Sequence, residues 1–174
     1  MSHLLSIVSL ARVARLAVLP FALLAAGCYG PLPSAQTPSL GKPLAATLTG
    51  DDGAPSPIPA PGGKALLLDF WSPSCEPCKR TIPAVLARRE DIEKKGAVHV
   101  LVAVLQKGES VNDAKAALAA WGITERFVVD EEGAFLAKVG APEVPAFAIV
   151  DAAGVLHWVA PSGVTISNIL DAIP

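Results

Sequence analysis

The sequence predicts an α/β fold in three layers, a central β-sheet with helices on its two faces. Two kinds of segment predict it. Ala65–Trp71 and Ala97–Leu105 are near-continuous apolar runs, the pattern of strands buried on both sides of a sheet. Segments of helical period alternate with them: Glu76–Lys94, and Val111–Trp121 with Val111, Ala114, Leu118 and Trp121 on one face. Residues 43–174 have the length of one domain. A formal net charge of −2 without a basic cluster speaks against a nucleic-acid partner.

Residues 1–27 read as a signal peptide. Arg12 and Arg15 precede an apolar run from Leu16 to Ala26, too short for the roughly 20 residues that span a bilayer. The run ends Leu24-Ala25-Ala26-Gly27-Cys28, which resembles a bacterial lipobox and makes Cys28 a candidate lipidation site, although Ala25 stands where leucine is usual. Ordinary cleavage, leaving Cys28 as a spare thiol, is the alternative. Residues 28–42, rich in Pro, Ser and Gly, read as a flexible tether between lipid and domain.

Leu44–Leu48, the turn Gly50-Asp51-Asp52-Gly53 and Ala54–Pro59 form a candidate hairpin. Pro55, Pro57, Pro59 and Pro61 restrict its second arm to a sheet edge, because proline has no N–H for an inner ladder.

The strand Ala65–Trp71 leads into Ser72-Pro73-Ser74-Cys75-Glu76-Pro77-Cys78-Lys79-Arg80. A Cys-x-x-Cys spacing serves either as half of a zinc site or as a redox dithiol. Zinc needs about four N or S ligands. The remaining candidates, Cys28, His3, His99 and His157, are scattered, so the dithiol is favoured and no metal or other cofactor is expected. Near a helix N-terminus, unpaired N–H groups and the helix dipole stabilise a thiolate at Cys75. Cys78, three residues on, shares its face and can close a disulfide with it. Cys75 is then the attacking thiol and Cys78 the resolving one. Pro77 suits the first turn of the helix.

The residues Asp69-Phe70-Trp71, Cys75-Glu76-Pro77-Cys78-Lys79 and Pro83 resemble the thioredoxin superfamily, and the Glu-Pro dipeptide between the cysteines resembles its TlpA/ResA-like branch of extracytoplasmic thiol–disulfide oxidoreductases. The resemblance spans Lys42 to the C-terminus. It implies a thioredoxin-like fold with a central mixed β-sheet and an added N-terminal β-hairpin. It places Asp69 beneath the second cysteine as a proton carrier; burial would raise its pKa. It implies a cis peptide before Pro145 in Glu143-Val144-Pro145, where the Val144 backbone pairs with an extended client. Trp71 and Pro77 complete the implied client groove. Asp69 departs from the asparagine common in TlpA-like proteins, and Ser74 replaces the aromatic residue usual before the first cysteine. Glu76, a further candidate catalytic residue, disfavours the Cys75 thiolate against partial opposition from Lys79 and Arg80, which favours a reducing dithiol.

The remaining elements follow in order. Pro83 should kink the helix Glu76–Lys94, and Gly96 should stop it. His99 reads as a strand residue facing a helix or water. Phe127–Val129 is a short strand and Glu131–Val139 a turn or short helix. Ala148–Asp151 and Val155–Val159 form a hairpin that puts Leu156 and Trp158 on one face. Thr165 or Ser167 caps a last helix.

These readings point to a thiol–disulfide oxidoreductase tethered to a membrane through a lipidated N-terminus, at the periplasmic face of a bacterial envelope. Tyr29 after Cys28 leans toward the outer membrane. Its partners would be disulfide-containing clients, apocytochrome c among them, and a membrane electron carrier that recycles it. Two alternatives stay open: a metal- or partner-holding lipoprotein of the same fold, and a peroxidase, for which Ser72 only partly matches the required threonine.

Overall fold

The computed structural model of the chain describes residues 39–60 and 62–174. The expected signal peptide, Cys28 and residues 28–38 of the expected tether lie outside the described residues.

The elements run β1 (Ala46–Gly50), β2 (Pro55–Ile58), β3 (Ala65–Trp71), α1 (Cys78–Leu86), α2 (Arg89–Lys94), β4 (Ala97–Leu105), α3 (Val111–Ala120), β5 (Phe127–Glu131), α4 (Ala134–Val139), β6 (Ala146–Val150), β7 (Leu156–Ala160) and α5 (Ile166–Ala172). The seven strands form one mixed sheet in the order β2-β1-β5-β4-β3-β6-β7. Strands β3, β4 and β5 are parallel, while β6, β7, β1 and β2 join antiparallel. The proline-bearing β2 is an outer strand, the place where a missing N–H leaves no inner ladder broken. The hairpin β1–β2 extends the sheet along β5.

Strand β3 is buried along its whole length and separates two cores. Leu66, Leu68 and Phe70 face one side, packed with Phe135, Leu136 and Val139 of α4. Leu67, Asp69 and Trp71 alternate onto the other, which α1, α2, α3 and α5 cover. Residues 39–42, expected in the tether, lie against β7: Gly41 N–H donates to Leu156 O at 2.8 Å, and Leu156 N–H to Lys42 O at 3.1 Å.

The single helix expected over Glu76–Lys94 is two helices. Pro83 sits within α1 without ending it, and the break falls at Ala87 and Arg88. There the ladder tightens to an Arg88 N–H to Val85 O bond of 2.9 Å, and α2 starts afresh from Arg88. The turn lets Val85 and Ile92 join one core with Leu67. The β6–β7 pairing also differs from the expected alternation. Ile149 opposes Trp158 but Val150 opposes Leu156, so His157 is an extra residue that bulges out. Leu156 and Val159 therefore share one core, and Trp158 packs on the other.

Side-chain caps hold two helices. Ser110 and Asp113 form a capping box at α3, and Thr165 and Asn168 form one at α5. Among the described residues two X–Pro peptides are cis, Ile58–Pro59 and Val144–Pro145. Among the described residues no helix is long and apolar enough to cross a membrane.

Candidate active site

The site lies beyond the carboxyl end of β3. After Trp71 the chain turns through Ser72–Pro77, with Cys75 N–H bonded to Ser72 O at 3.1 Å and Cys78 N–H to Cys75 O at 3.1 Å. Pro77 already has helical dihedrals (φ −60°, ψ −35°) but acts as the N-cap, so α1 begins at Cys78 and Cys75 precedes it. Cys75 and Cys78 are joined by a disulfide, with Cα atoms 5.3 Å apart. The Cys78 N–H also lies 3.2 Å from Cys75 Sγ. A donor in that position stabilises negative charge on Cys75 once the bond is open.

Both cysteines are buried, but unequally: Cys75 keeps 7% of its surface and Cys78 none. A groove of ≈ 920 Å³ runs beside them, and Cys75, Glu76, Pro77 and Val144 line it. Cys78 does not reach it. Leu136 and Ala137 of α4 form part of its wall, and Glu132, Glu143 and Lys107 add charge. Glu76, Pro77, Lys79 and Arg80 are exposed, whereas Pro145 is buried at the start of β6.

Trp71, expected in the groove, is not part of its surface. It is fully buried, and its ring meets Trp121 at 5.5 Å and Phe127 at 5.7 Å, both edge-on. The reason is the alternation of β3, which turns Trp71 inward beneath the disulfide into the core shared with Cys75, Cys78 and Ile82.

Asp69 is fully buried two residues earlier on the same face. It stands in the row Leu67–Asp69–Trp71, under α1 with its inward residues Cys78, Ile82 and Val85. Burial pushes its carboxyl above the ordinary value, and His99 opposes part of that rise. Its Oδ2 lies 3.1 Å from His99 Nε2, while Oδ1 has no hydrogen-bond partner among the described residues. His99 is thus the site residue that sequence reasoning missed. The expectation of a strand residue facing a helix or water leaves out its partner: the side chain is 4% exposed, on the face of Leu67, and paired with a carboxylate. A polar residue within an apolar strand, one strand away from another, was the available signal.

Asp130 near the end of β5 is a second buried carboxylate, this one unanticipated. It accepts the N–H groups of Phe135 at 2.8 Å and Leu136 at 2.7 Å, fixing the first turn of α4 against the groove. His157 is paired with Asp151 at 2.9 Å. Among the described residues, no group of three or more His, Cys, Asp or Glu side chains is placed to hold a metal ion.

The Redoxin family model matches residues 33–173. No curated protein sequence matches the chain. Among solved structures, StoA from Bacillus subtilis superposes with a TM-score of 0.62 at 17% identity, covering 77% of this chain and 99% of that one. The pneumococcal exposed lipoprotein thioredoxin from Streptococcus pneumoniae gives 0.61 at 24% identity, covering 75% and 98%. A secreted disulfide oxidoreductase from Mycobacterium tuberculosis gives 0.56 at 20% identity, covering 74% and 93%. At these identities the likeness is one of fold, and the fold is that of thioredoxin.

Proposed function

The chain belongs to the Redoxin family and carries a dithiol/disulfide pair, and from that premise we propose that it is an extracytoplasmic, membrane-tethered oxidoreductase that reduces disulfides in envelope proteins. The observation that carries the reading is the unequal exposure of the two sulfurs, since Cys75 alone borders the groove. The Cys75 thiolate attacks a client disulfide, forming a mixed disulfide and releasing one client thiolate. Cys78 then loses its proton, attacks Cys75 and expels the second client thiolate. Asp69 receives the proton of Cys78. Pro77, Val144 and Pro145 shape the client groove, with the Val144 backbone pairing to an extended client strand.

The reducing direction rests on charge. The exposed carboxylate of Glu76 adjoins Cys75 and destabilises the thiolate that reduction leaves behind, so the reduced form gives up its electrons more readily. Tethering rests on the sequence before the domain, with a lipid on Cys28, residues 28–38 as spacer and the outer membrane as the favoured site. The likeness to an exposed pneumococcal lipoprotein and a secreted mycobacterial enzyme supports an extracytoplasmic setting. Apocytochrome c is a candidate client, and a membrane electron carrier would return the dithiol to its reduced state.

The test is the reduction potential, measured in thiol/disulfide buffers with tryptophan emission as readout. A value near or below about −250 mV supports a reductant, and one near about −120 mV would make the protein an oxidant of folding clients. A pair with no reversible transition would instead indicate a module that binds without turnover.

A further inference from the structure

His99 lies on β4, opposite Leu67 of the neighbouring β3, and reaches Asp69 on the same face of the sheet. The contact divides the two carboxylate oxygens. Oδ2 is engaged by His99 Nε2 at 3.1 Å, and Oδ1, equally buried, has no partner among the described residues. A buried polar atom left bare is costly, and a role in catalysis is one reason a fold tolerates it. A base needs one oxygen free to take a proton and a group that holds the other still.

Resting on the dithiol reading above, we propose that His99 is a positioning residue of the exchange reaction: its Nε2–H holds Oδ2 of Asp69 and presents the bare Oδ1 to the proton of Cys78. In the resolving step the Cys78 S–H bond breaks and its proton goes to Oδ1. The sulfur's electron pair forms the Cys75–Cys78 bond, and the Cys75–client bond breaks with its pair leaving on the client thiolate. The dithiol is oxidised and the client disulfide reduced, with His99 keeping its own proton throughout.

The surroundings leave this pairing undisturbed. From α1, Cys78, Ile82 and Val85 point inward, and Lys79 and Arg80 are exposed. From α2 the inward residue is Ile92, and Arg89 next to it is held by Glu125 at 2.7 Å. Phe147 of β6 and Ile169 and Leu170 of α5 are apolar. On its other side His99 borders a cleft of ≈ 390 Å³ that also contains Asp51, Asp52 and Arg126. Both aspartates there are bound to Arg126. Among the described residues, and with the two cysteines joined, His99 is therefore the one titratable group acting on Asp69.

The experiment uses the reduced full chain carrying Cys28→Ser in every variant, so that Cys75 and Cys78 are its only thiols, with one equivalent of 5,5′-dithiobis(2-nitrobenzoate), which reports the two steps in turn. Attack by Cys75 releases one coloured thiolate, and resolution by Cys78 releases a second. His99→Phe should slow the second release by about tenfold or more at pH 7, and move its midpoint to higher pH, with the first release unchanged. His99→Gln, which retains an N–H donor, should stay within about twofold of wild type. An unchanged second release in His99→Phe, or equal slowing of both steps, would overturn the proposal. Nitrogen NMR of the wild-type histidines provides a reading that needs no variant to fold: a proton on Nε2 of His99 supports the proposal, and a bare Nε2 overturns it. A Cys28→Ser chain with His99 intact that releases only one equivalent would overturn the dithiol reading itself, and this inference with it.

Discussion

The backbone N–H of Cys78 points at the sulfur of Cys75 from 3.2 Å, so the first residue of α1 supports the residue three before it. The two sulfurs are chemically alike but differently placed, one bordering the groove and one sealed beneath it. Cys75→Ser should abolish turnover of a disulfide client. Cys78→Ser should accumulate a mixed disulfide, visible by intact mass as an adduct of chain plus client. Full activity in either variant would exclude the two-step exchange.

Asp69 gives a pH-dependent stability. Burial raises its folded pKa above the ordinary 3.8, so the carboxyl costs nothing below that value. The penalty grows as pH climbs from there to the folded pKa and is complete above it. Asp69→Asn keeps a partner for His99 and should stabilise the fold at pH 8, since the cost of burying an ionisable carboxyl is removed. The gain should vanish by pH 3.5. Urea unfolding at both pH values measures it, and an equal gain at both would rule out ionisation as the cause.

Asp130 ties the groove wall to the sheet. Its two bonds to Phe135 and Leu136 are charge-assisted and shielded, and Asp130→Ala should cost about 2–4 kcal/mol. Leu136 lines the groove, so client KM should rise more than kcat falls in steady-state reduction of a protein disulfide. A variant of unaltered stability would show that α4 holds its place by packing alone.

Trp71 shares a core with both cysteines, which makes it a built-in reporter. An excited indole next to a disulfide is quenched by electron transfer, so opening Cys75–Cys78 should brighten the emission. Trp71→Phe should remove most of that change even though Trp121 and Trp158 remain. A redox-dependent signal that survives in Trp71→Phe would assign it to Trp121, which meets Trp71 at 5.5 Å.

Several elements were legible in the chain because local rules decide them. The apolar runs Ala65–Trp71 and Ala97–Leu105 can be satisfied only between two covering layers, and they are strands β3 and β4. The Cys75–Cys78 spacing likewise pointed to a helix start, and α1 opens at Cys78 with Cys75 just before it. Prolines 55 and 57 confined β2 to an outer position, where it lies. Other features depended on partners distant in sequence. Whether Pro83 or Arg88 would interrupt the helix depended on where Val85 and Ile92 meet Leu67. Whether Leu156 would share a face with Trp158 depended on one extra residue in the β6–β7 ladder.

The sequence by itself determined the order of the strands, the dithiol and the outer place of β2, because hydrophobic period, cysteine spacing and proline act within a few residues. Only the tertiary structure decided that Trp71 lies under the disulfide, outside the groove, and that His99 meets Asp69 across 30 residues of chain. The register of two parallel strands sets that second meeting, and no local pattern encodes it.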